Sequence, residues 1–225
     1  VTLDSTEARH LTGALRRRTG DEIVLADGEG CVAAARLVRV VRGRVEAEVF
    51  SVRRAAEPKA DGVTVALAMV GRRAMDWAVQ KAVEIGVQRF VPIATERAQL
   101  RSTGPGTSVD HWRRISLQAL KQCRRPWAME VAGVVSVNEL VEAEPAKAGA
   151  VADRRGCAIG KLSEGEGQVL AVGPEGGFTE QESALFDRHG WVRLCLGPYV
   201  LRAETAAIVG GAMMVARSED LTVES

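Results

Sequence analysis

Apolar and polar residues change rhythm about a quarter of the way along the chain. In the first third the apolar runs are short and separated by tight-turn residues. Ile23–Ala26 is an apolar run followed by Asp27-Gly28-Glu29-Gly30, and an Asp-Gly step between apolar runs predicts a hairpin. Residues 31–41 form a second apolar stretch, Arg42-Gly43 punctuates it, and Val45–Val52 forms a third. Ahead of these strands, Thr6–Arg18 reads as a short helix ending near Gly20. Several short strands with tight turns predict a small barrel or sandwich. Ala55–Gly62, with Pro58 and Gly62, reads as a linker.

Beyond the linker, strands and helices alternate. Val63–Val70 is a continuous apolar strand, and Met75–Gly86 carries Met75, Ala78, Val79, Ala82 and Val83 at helical spacing. Phe90–Ala94 is strand-like, Thr103–Ser108 a loop, Val109–Cys123 a second helix, Met129–Val135 a strand and Val137–Ala143 a short helix. Val169–Val172 is a strand that runs into Gly173–Phe178. Thr179 and Glu182 have capping-box spacing, which predicts a helix over about 180–189. Val192–Leu196 completes the strands and Glu204–Ala216 is the last helix. This alternation predicts an α/β fold with a largely parallel sheet covered on both faces.

Composition narrows the class. The 225 residues are 46% hydrophobic and 26% charged with a net charge of +1, which argues against a mainly disordered chain. The length allows one large domain or two small ones. No secretory signal is visible, and no apolar run approaches the ~20 residues that span a bilayer. The four cysteines are far apart with no CxxC and no nearby His pair, so buried free thiols are expected rather than a disulfide framework or a metal site. Charge is unevenly placed. From Arg89 to Glu130 eight Lys or Arg stand against three acids, a net of +5; from Val131 to Gly190 five stand against ten, a net of −5. The basic stretch, mostly arginine, suits either a polyanion or an ordinary solvated helix face.

The usual catalytic templates fail. His10, His111 and His189 sit in no metal or nucleophile motif, there is no phosphate-binding glycine loop of the GxxxxGK type, and Gly28-x-Gly30 lies in a hairpin and lacks a third glycine. Two other loops stand out, each a buried strand leaving through Gly-Pro: Gly173-Pro174-Glu175-Gly176-Gly177-Phe178, and Leu196-Gly197-Pro198-Tyr199-Val200-Leu201-Arg202-Ala203-Glu204-Thr205-Ala206. Ligands of parallel α/β sheets bind outside the carboxyl ends of the strands, and glycines let backbone approach a ligand. The same residues also serve as plain turn glycines and helix caps, and the pattern alone leaves both uses open.

The order and spacing of several segments resemble the bacterial small-subunit ribosomal RNA uridine-N3 methyltransferases, the RsmE family of the SPOUT superfamily. The segments are His10-Leu11 with Ala14-Leu15-Arg16 and Gly20-Asp21; Asp27-Gly28-x-Gly30; Met75-Asp76-Trp77 with Gln80-Lys81-Ala82 and Glu84-Ile85-Gly86; Thr95-Glu96-Arg97; Gln122 with Arg125; and the two Gly-Pro loops. The resemblance covers nearly the whole chain. The sequence departs from the family pattern at Gly71-Arg72-Arg73, where lysine is expected, at Gln118 for an acid, and at Tyr199 for an arginine.

The resemblance implies a PUA-like β-barrel over residues 1–55 and a SPOUT α/β domain over 63–217 with a deep C-terminal trefoil knot. It implies S-adenosylmethionine (SAM) as cofactor, no metal, a cytoplasmic homodimer, and ribosomal RNA of the small subunit as partner rather than DNA or membrane. The matching cofactor positions are Gly173, Pro174, Glu175, Gly176, Leu196, Gly197, Pro198, Leu201, Arg202, Ala203, Glu204 and Thr205. Methylation at N3 requires loss of the imide proton and stabilisation of the resulting negative charge. Arg202 is the first candidate for the stabilising cation and Arg125 the second. Glu204 is a candidate base, though a first-turn carboxylate that stabilises the last helix is the stronger use; Arg202 also suits a structural ion pair, with function the favoured use. RNA contacts are expected from Arg9, Arg16, Arg17 and Arg18, and from Arg97, Arg101, Gln122, Arg124 and Arg125. Trp112 and Trp127 flank the basic segment and are expected in the core. Apart from an rRNA methyltransferase, the pattern is compatible with a non-catalytic RNA-binding module and with a SPOUT enzyme of transfer RNA.

Overall fold

The computed structural model of the chain describes residues 1–41, 44–58, 62–98, 107–144, 149–163 and 168–218. They form two compact units, residues 1–57 with 124–127, and residues 58–123 with 128–225.

The first unit is an antiparallel sheet in the order β1-β4-β3-β2, with β1 Thr2–Leu3, β2 Glu22–Ala26, β3 Cys31–Val41 and β4 Arg44–Arg54. Alternation drives it. Ile23 and Leu25 of β2 face a small core built on Ala35, Leu37, Val45 and Ala47, which α1 (Ser5–Arg9) closes through Ala8. The expected helix over 6–18 is shorter: after α1 comes one wider π turn, His10–Ala14. Gly13 lies in that turn, Arg16 takes a left-handed φ of 50°, and Arg16–Arg18 offer no apolar face to bury. In the β2–β3 turn Asp27 Oδ1 accepts the Glu29 and Cys31 N–H groups at 2.7 and 3.0 Å, with the Glu29 bond the main reason its carboxyl lies below the usual range. The segment 124–127 completes this unit. Trp127 bridges Glu29, its Nε1–H donates to Ala56 O at 2.8 Å, and its ring occupies the space a side chain at Gly30 would need. The Arg54 guanidinium lies 5.8 Å from the ring centroid. Trp127 is thus a half-buried staple of the first unit, whereas Trp112 is buried in the core of the second.

The second unit is a parallel sheet in the order β11-β9-β10-β5-β6-β7, with β8 also on β6. Its strands are β5 Thr64–Ala68, β6 Arg89–Ala94, β7 Glu130–Val131, β8 Val135–Ser136, β9 Gly149–Cys157, β10 Val169–Val172 and β11 Val192–Leu194. The central strands are apolar throughout because both faces are covered. Val65 and Leu67 of β5 face one core with α2 (Arg72–Glu84), α3 (Thr107–Cys123) and α6 (Ala203–Ser218). Ala66 and Ala68 face another with α4 (Val137–Ala143) and α5 (Glu180–Arg188). The expected strand over 129–135 is two short ones, β7 and β8. Gly133 lies in the break, and Pro92 of β6, which has no N–H to give, lies opposite it. β9 was announced by no pattern, since Asp153-Arg154-Arg155 interrupts its apolar run. The loop expected over 103–108 falls largely outside the described residues, and α3 begins at Thr107. Among the described residues no helix is long and apolar enough to cross a membrane.

Candidate active site

All strands of this sheet are parallel, so the loops after β5, β6, β10 and β11 leave from one edge. β10 and β11 both flank β9, which places their ends about 10 Å apart by ordinary strand spacing. β9 pairs with β10 only through Val151. It then bulges over 152–156 and rejoins β11 where Cys157 faces Leu194. The strand that would separate the two loops therefore leaves β10 just before they begin.

The first loop is held from behind and from the side. Gly177 N–H donates to Pro174 O at 2.8 Å, with Gly177 at φ 68°. Thr179 caps α5, and the buried Glu182 completes the capping box by accepting the Thr179 N–H at 2.8 Å. Its second oxygen accepts the Glu96 N–H at 2.9 Å, which ties the loop after β6 to this one. Arg97 adds a further tie, donating from Nη1 to Gly176 O at 2.8 Å and to Phe178 O at 3.4 Å. Phe178 stacks edge-on against Phe186, and Phe186 against Trp191, with centroids 4.9 and 5.1 Å apart. These rings anchor the loop to the core.

The second loop begins at Cys195, whose N–H donates to Cys157 O at 2.9 Å. Gly197 adopts φ 155°, and no atom lies within 4 Å of where its side chain would stand. Pro198, Tyr199 and Val200 are exposed, Tyr199 to 79%. Leu196 and Leu201 are half-buried against the core. The carbonyl of the exposed Arg202 accepts the Ala206 N–H at 2.8 Å and so opens α6, with Glu204 and Thr205 half-buried in its first turn. Helix α6 then crosses the sheet at very close range. A side chain at Gly210 would overlap Leu170 of β10 and come within 3.1 Å of Leu196. The glycine lets one helix rest on β10 and on the start of the second loop together.

The structure thus brings the positions 173–176 and 196–205 to one edge of the second unit. Arg97 stands beside them as a brace, a use that its place in a basic segment did not reveal. Arg9, Arg16, Arg17, Arg124 and Arg125 fold with the first unit, all exposed except the half-buried Arg125, and Gln122 is exposed on α3. Arg124 takes a left-handed φ of 59° at the end of α3. Arg101 lies outside the described residues. Thr95, which the sequence offers only as part of the Thr95-Glu96-Arg97 segment and with no role there, is a candidate site residue. Its hydroxyl, at the end of β6 next to Glu96, is buried with no hydrogen-bond partner among the described residues.

Residues 57–215 match the family model of the RNA methyltransferase domain, which defines the class. Ribosomal RNA small subunit methyltransferase E of Mycobacterium bovis is 34% identical over 92% of this chain and 82% of its own, and that of Aquifex aeolicus 29% over 90% and 88%. Among solved structures, ribosomal RNA small subunit methyltransferase E of Neisseria gonorrhoeae bound to S-adenosyl methionine superposes with a TM-score of 0.88, at 30% identity over 99% of this chain and 93% of that one. A Legionella pneumophila methyltransferase in complex with SAM gives 0.87, at 26% identity over 96% and 91%. The chain belongs to the ribosomal RNA small subunit methyltransferase E family.

Proposed function

We propose that the chain binds SAM between its two Gly-Pro loops and methylates N3 of a uridine in small-subunit ribosomal RNA. The observation that carries this reading is the convergence of loops 173–178 and 196–202 at one edge of a parallel sheet, with β9 leaving β10 between them and α6 seated against β10 and the start of the second loop.

The residues present fit the cofactor. Open space at Gly197 and Gly177 leaves bare backbone for a nucleoside to approach, while Leu196 and Leu201 supply apolar walls. The orphaned Thr95 hydroxyl supplies a polar group with unspent hydrogen-bonding capacity. Gly173, Pro174, Glu175 and Gly176 then hold one side of the cofactor, and Leu196, Gly197, Pro198, Leu201, Arg202, Ala203, Glu204 and Thr205 the other. A sulfonium methyl group supplied there is electrophilic enough to react with a uracil imide anion.

The protein's part is to position N3 and to make that anion available. Arg202 is exposed at the junction of loop and helix, where a fixed guanidinium offsets charge developing on the uracil oxygens. Arg125, in the first unit, is the second candidate. Glu204 is the candidate to take the N3 proton. It also stands in the first turn of α6, where a negative charge stabilises the helix, and one group can fill both roles. Holding the uracil in line for transfer contributes up to about 7–11 kcal/mol to the barrier reduction.

In this reading residues 1–55 are a PUA-like barrel and residues 63–217 a SPOUT domain whose C-terminal segment is knotted. The enzyme acts as a homodimer in the cytoplasm, where ribosomes are built. Of the α6 residues expected on a dimer face, Ile208, Val209 and Met213 are half-buried and supply it, whereas Met214 is buried in the core. Arg9, Arg16, Arg17, Arg97, Gln122, Arg124 and Arg125 contact the RNA, mainly through phosphate.

Calorimetric titration with SAM tests the pocket. One site per chain is expected, and Gly197→Val, which puts a branched side chain into the open bend, weakens binding more than tenfold while circular dichroism stays that of the folded chain. No heat at millimolar SAM contradicts the reading.

A further inference from the structure

We propose that a groove between α2 and α3 binds one unstacked nucleotide of the RNA substrate, distinct from the nucleotide that is methylated. The inference rests on the methyltransferase reading above, but its site is separate from the Gly-Pro loops.

The groove has a volume of about 420 Å³, within the ~300–1,000 Å³ range of pockets that take small molecules. Its walls are Arg73, Asp76, Trp77 and Gln80 from α2 with Ile115, Gln118, Ala119 and Gln122 from α3. Their chemistry matches the parts of a nucleotide. Trp77 is 44% exposed, far more than core packing of an indole leaves, and offers a flat face on which a base stacks. Gln118 and Gln122 are exposed on one face of α3, four residues apart, and their amides make no hydrogen bond among the described residues. Each amide carries both a donor and an acceptor, the combination that reads a base edge. Gln80, also on the wall, donates to Glu84 at 3.2 Å and keeps its carbonyl oxygen as an acceptor. Arg73 is exposed with no ion pair among the described residues, and it supplies a planar fork for phosphate. Asp76 is the one acid on the walls, and His111 Nε2 lies 3.0 Å from its Oδ1.

Single-stranded RNA suits this surface better than a second copy of the chain does. Base stacking on one indole, edge recognition by amides and one phosphate contact are how unpaired nucleotides are held. Five of the eight wall residues are polar or charged, the acid Asp76 among them, and the core of an interface between identical chains is depleted in such acids.

Fluorescence anisotropy with a labelled ten-nucleotide single-stranded RNA, compared with the same RNA annealed as a duplex, tests the proposal. Trp77→Ala is expected to weaken single-strand binding about tenfold, in line with the loss of one stacked base, and to leave SAM binding unchanged. The double variant Gln118→Glu, Gln122→Glu, which adds charge on an exposed face without removing packing, is expected to do the same. In methyl-transfer assays on small-subunit RNA both raise KM for RNA more than they lower kcat. Wild-type affinity in both variants overturns the proposal. So does a change of oligomeric state by light scattering in Trp77→Ala, because it would make the groove a contact between copies. Loss of oligonucleotide binding in the variants of a wild type that transfers no methyl group supports the groove and removes the enzymatic reading instead.

Discussion

Arg97 and Arg202 are both arginines near a Gly-Pro loop, and their surroundings separate them. The Arg97 guanidinium donates from Nη1 to the carbonyls of Gly176 and Phe178, 79 and 81 residues away in the chain, which leaves only its other N–H groups for RNA. Arg202 is exposed and uses only its backbone carbonyl to start α6. The sequence names both as cationic candidates but cannot tell a brace from an available charge, because the difference lies in partners far along the chain. The reading gives Arg202 the role of stabilising charge on the uracil. Arg202→Ala is therefore expected to lower kcat by about 10²–10³-fold, the usual cost of losing one such donor, with the affinity for SAM changed far less. Steady-state methyl-transfer kinetics beside calorimetry separate the two effects; equal losses in both would make Arg202 a cofactor clamp only. Thr95 was legible only as part of the Thr95-Glu96-Arg97 segment, with no role attached, and burial of its hydroxyl without a partner is what marks it as available to a ligand.

Among the elements, those with a clean period were legible: β5, α2, β10 and α6 follow from apolar runs and helical spacing, and the Thr179–Glu182 capping box marks the start of α5. β9 was not, because half of it bulges and carries charge. The bulge has its own electrostatics. Asp153 accepts the Arg155 N–H at 2.9 Å, and this bond is the main cause of a carboxyl held below its usual range; partial burial opposes it, and the Arg155 and Arg193 guanidinia add to it. A carboxyl with a depressed native pKa contributes stability that is present above its unfolded value, near ~3.9, and is lost as pH falls through the native value. Asp153→Asn is accordingly expected to melt below the wild type at neutral pH, with the gap closing below about pH 4. A gap constant down to pH 2 would assign the effect to packing. Helix α6 offers a second check. Gly210→Ala places a methyl group into Leu170 and against Leu196, and overpacking of this kind costs about 1–3 kcal/mol. Chemical denaturation is expected to show that loss together with weaker SAM binding, since the same contact seats the second loop. Loss of stability with full SAM affinity would uncouple the helix from the site.

For the whole molecule, the alternating strands and helices after residue 62 were enough to expect a parallel α/β sheet, and the short runs before residue 55 a β-rich unit. The return of residues 124–127 to the first unit was not legible, because it depends on Trp127 docking over Gly30 some hundred residues earlier. Two loops of the same Gly-Pro form could be read from the chain, but not that β9 would pull away between them. In the proposed function these loops hold a methyl donor for one uridine of the small-subunit RNA. The most direct measurement is mass spectrometry of nucleosides from small-subunit RNA incubated with the protein and methyl-labelled SAM, with transfer RNA treated in parallel. Label is expected in 3-methyluridine at a single position of the ribosomal RNA and none in transfer RNA. Label in another nucleoside, in transfer RNA, or in neither RNA would contradict it.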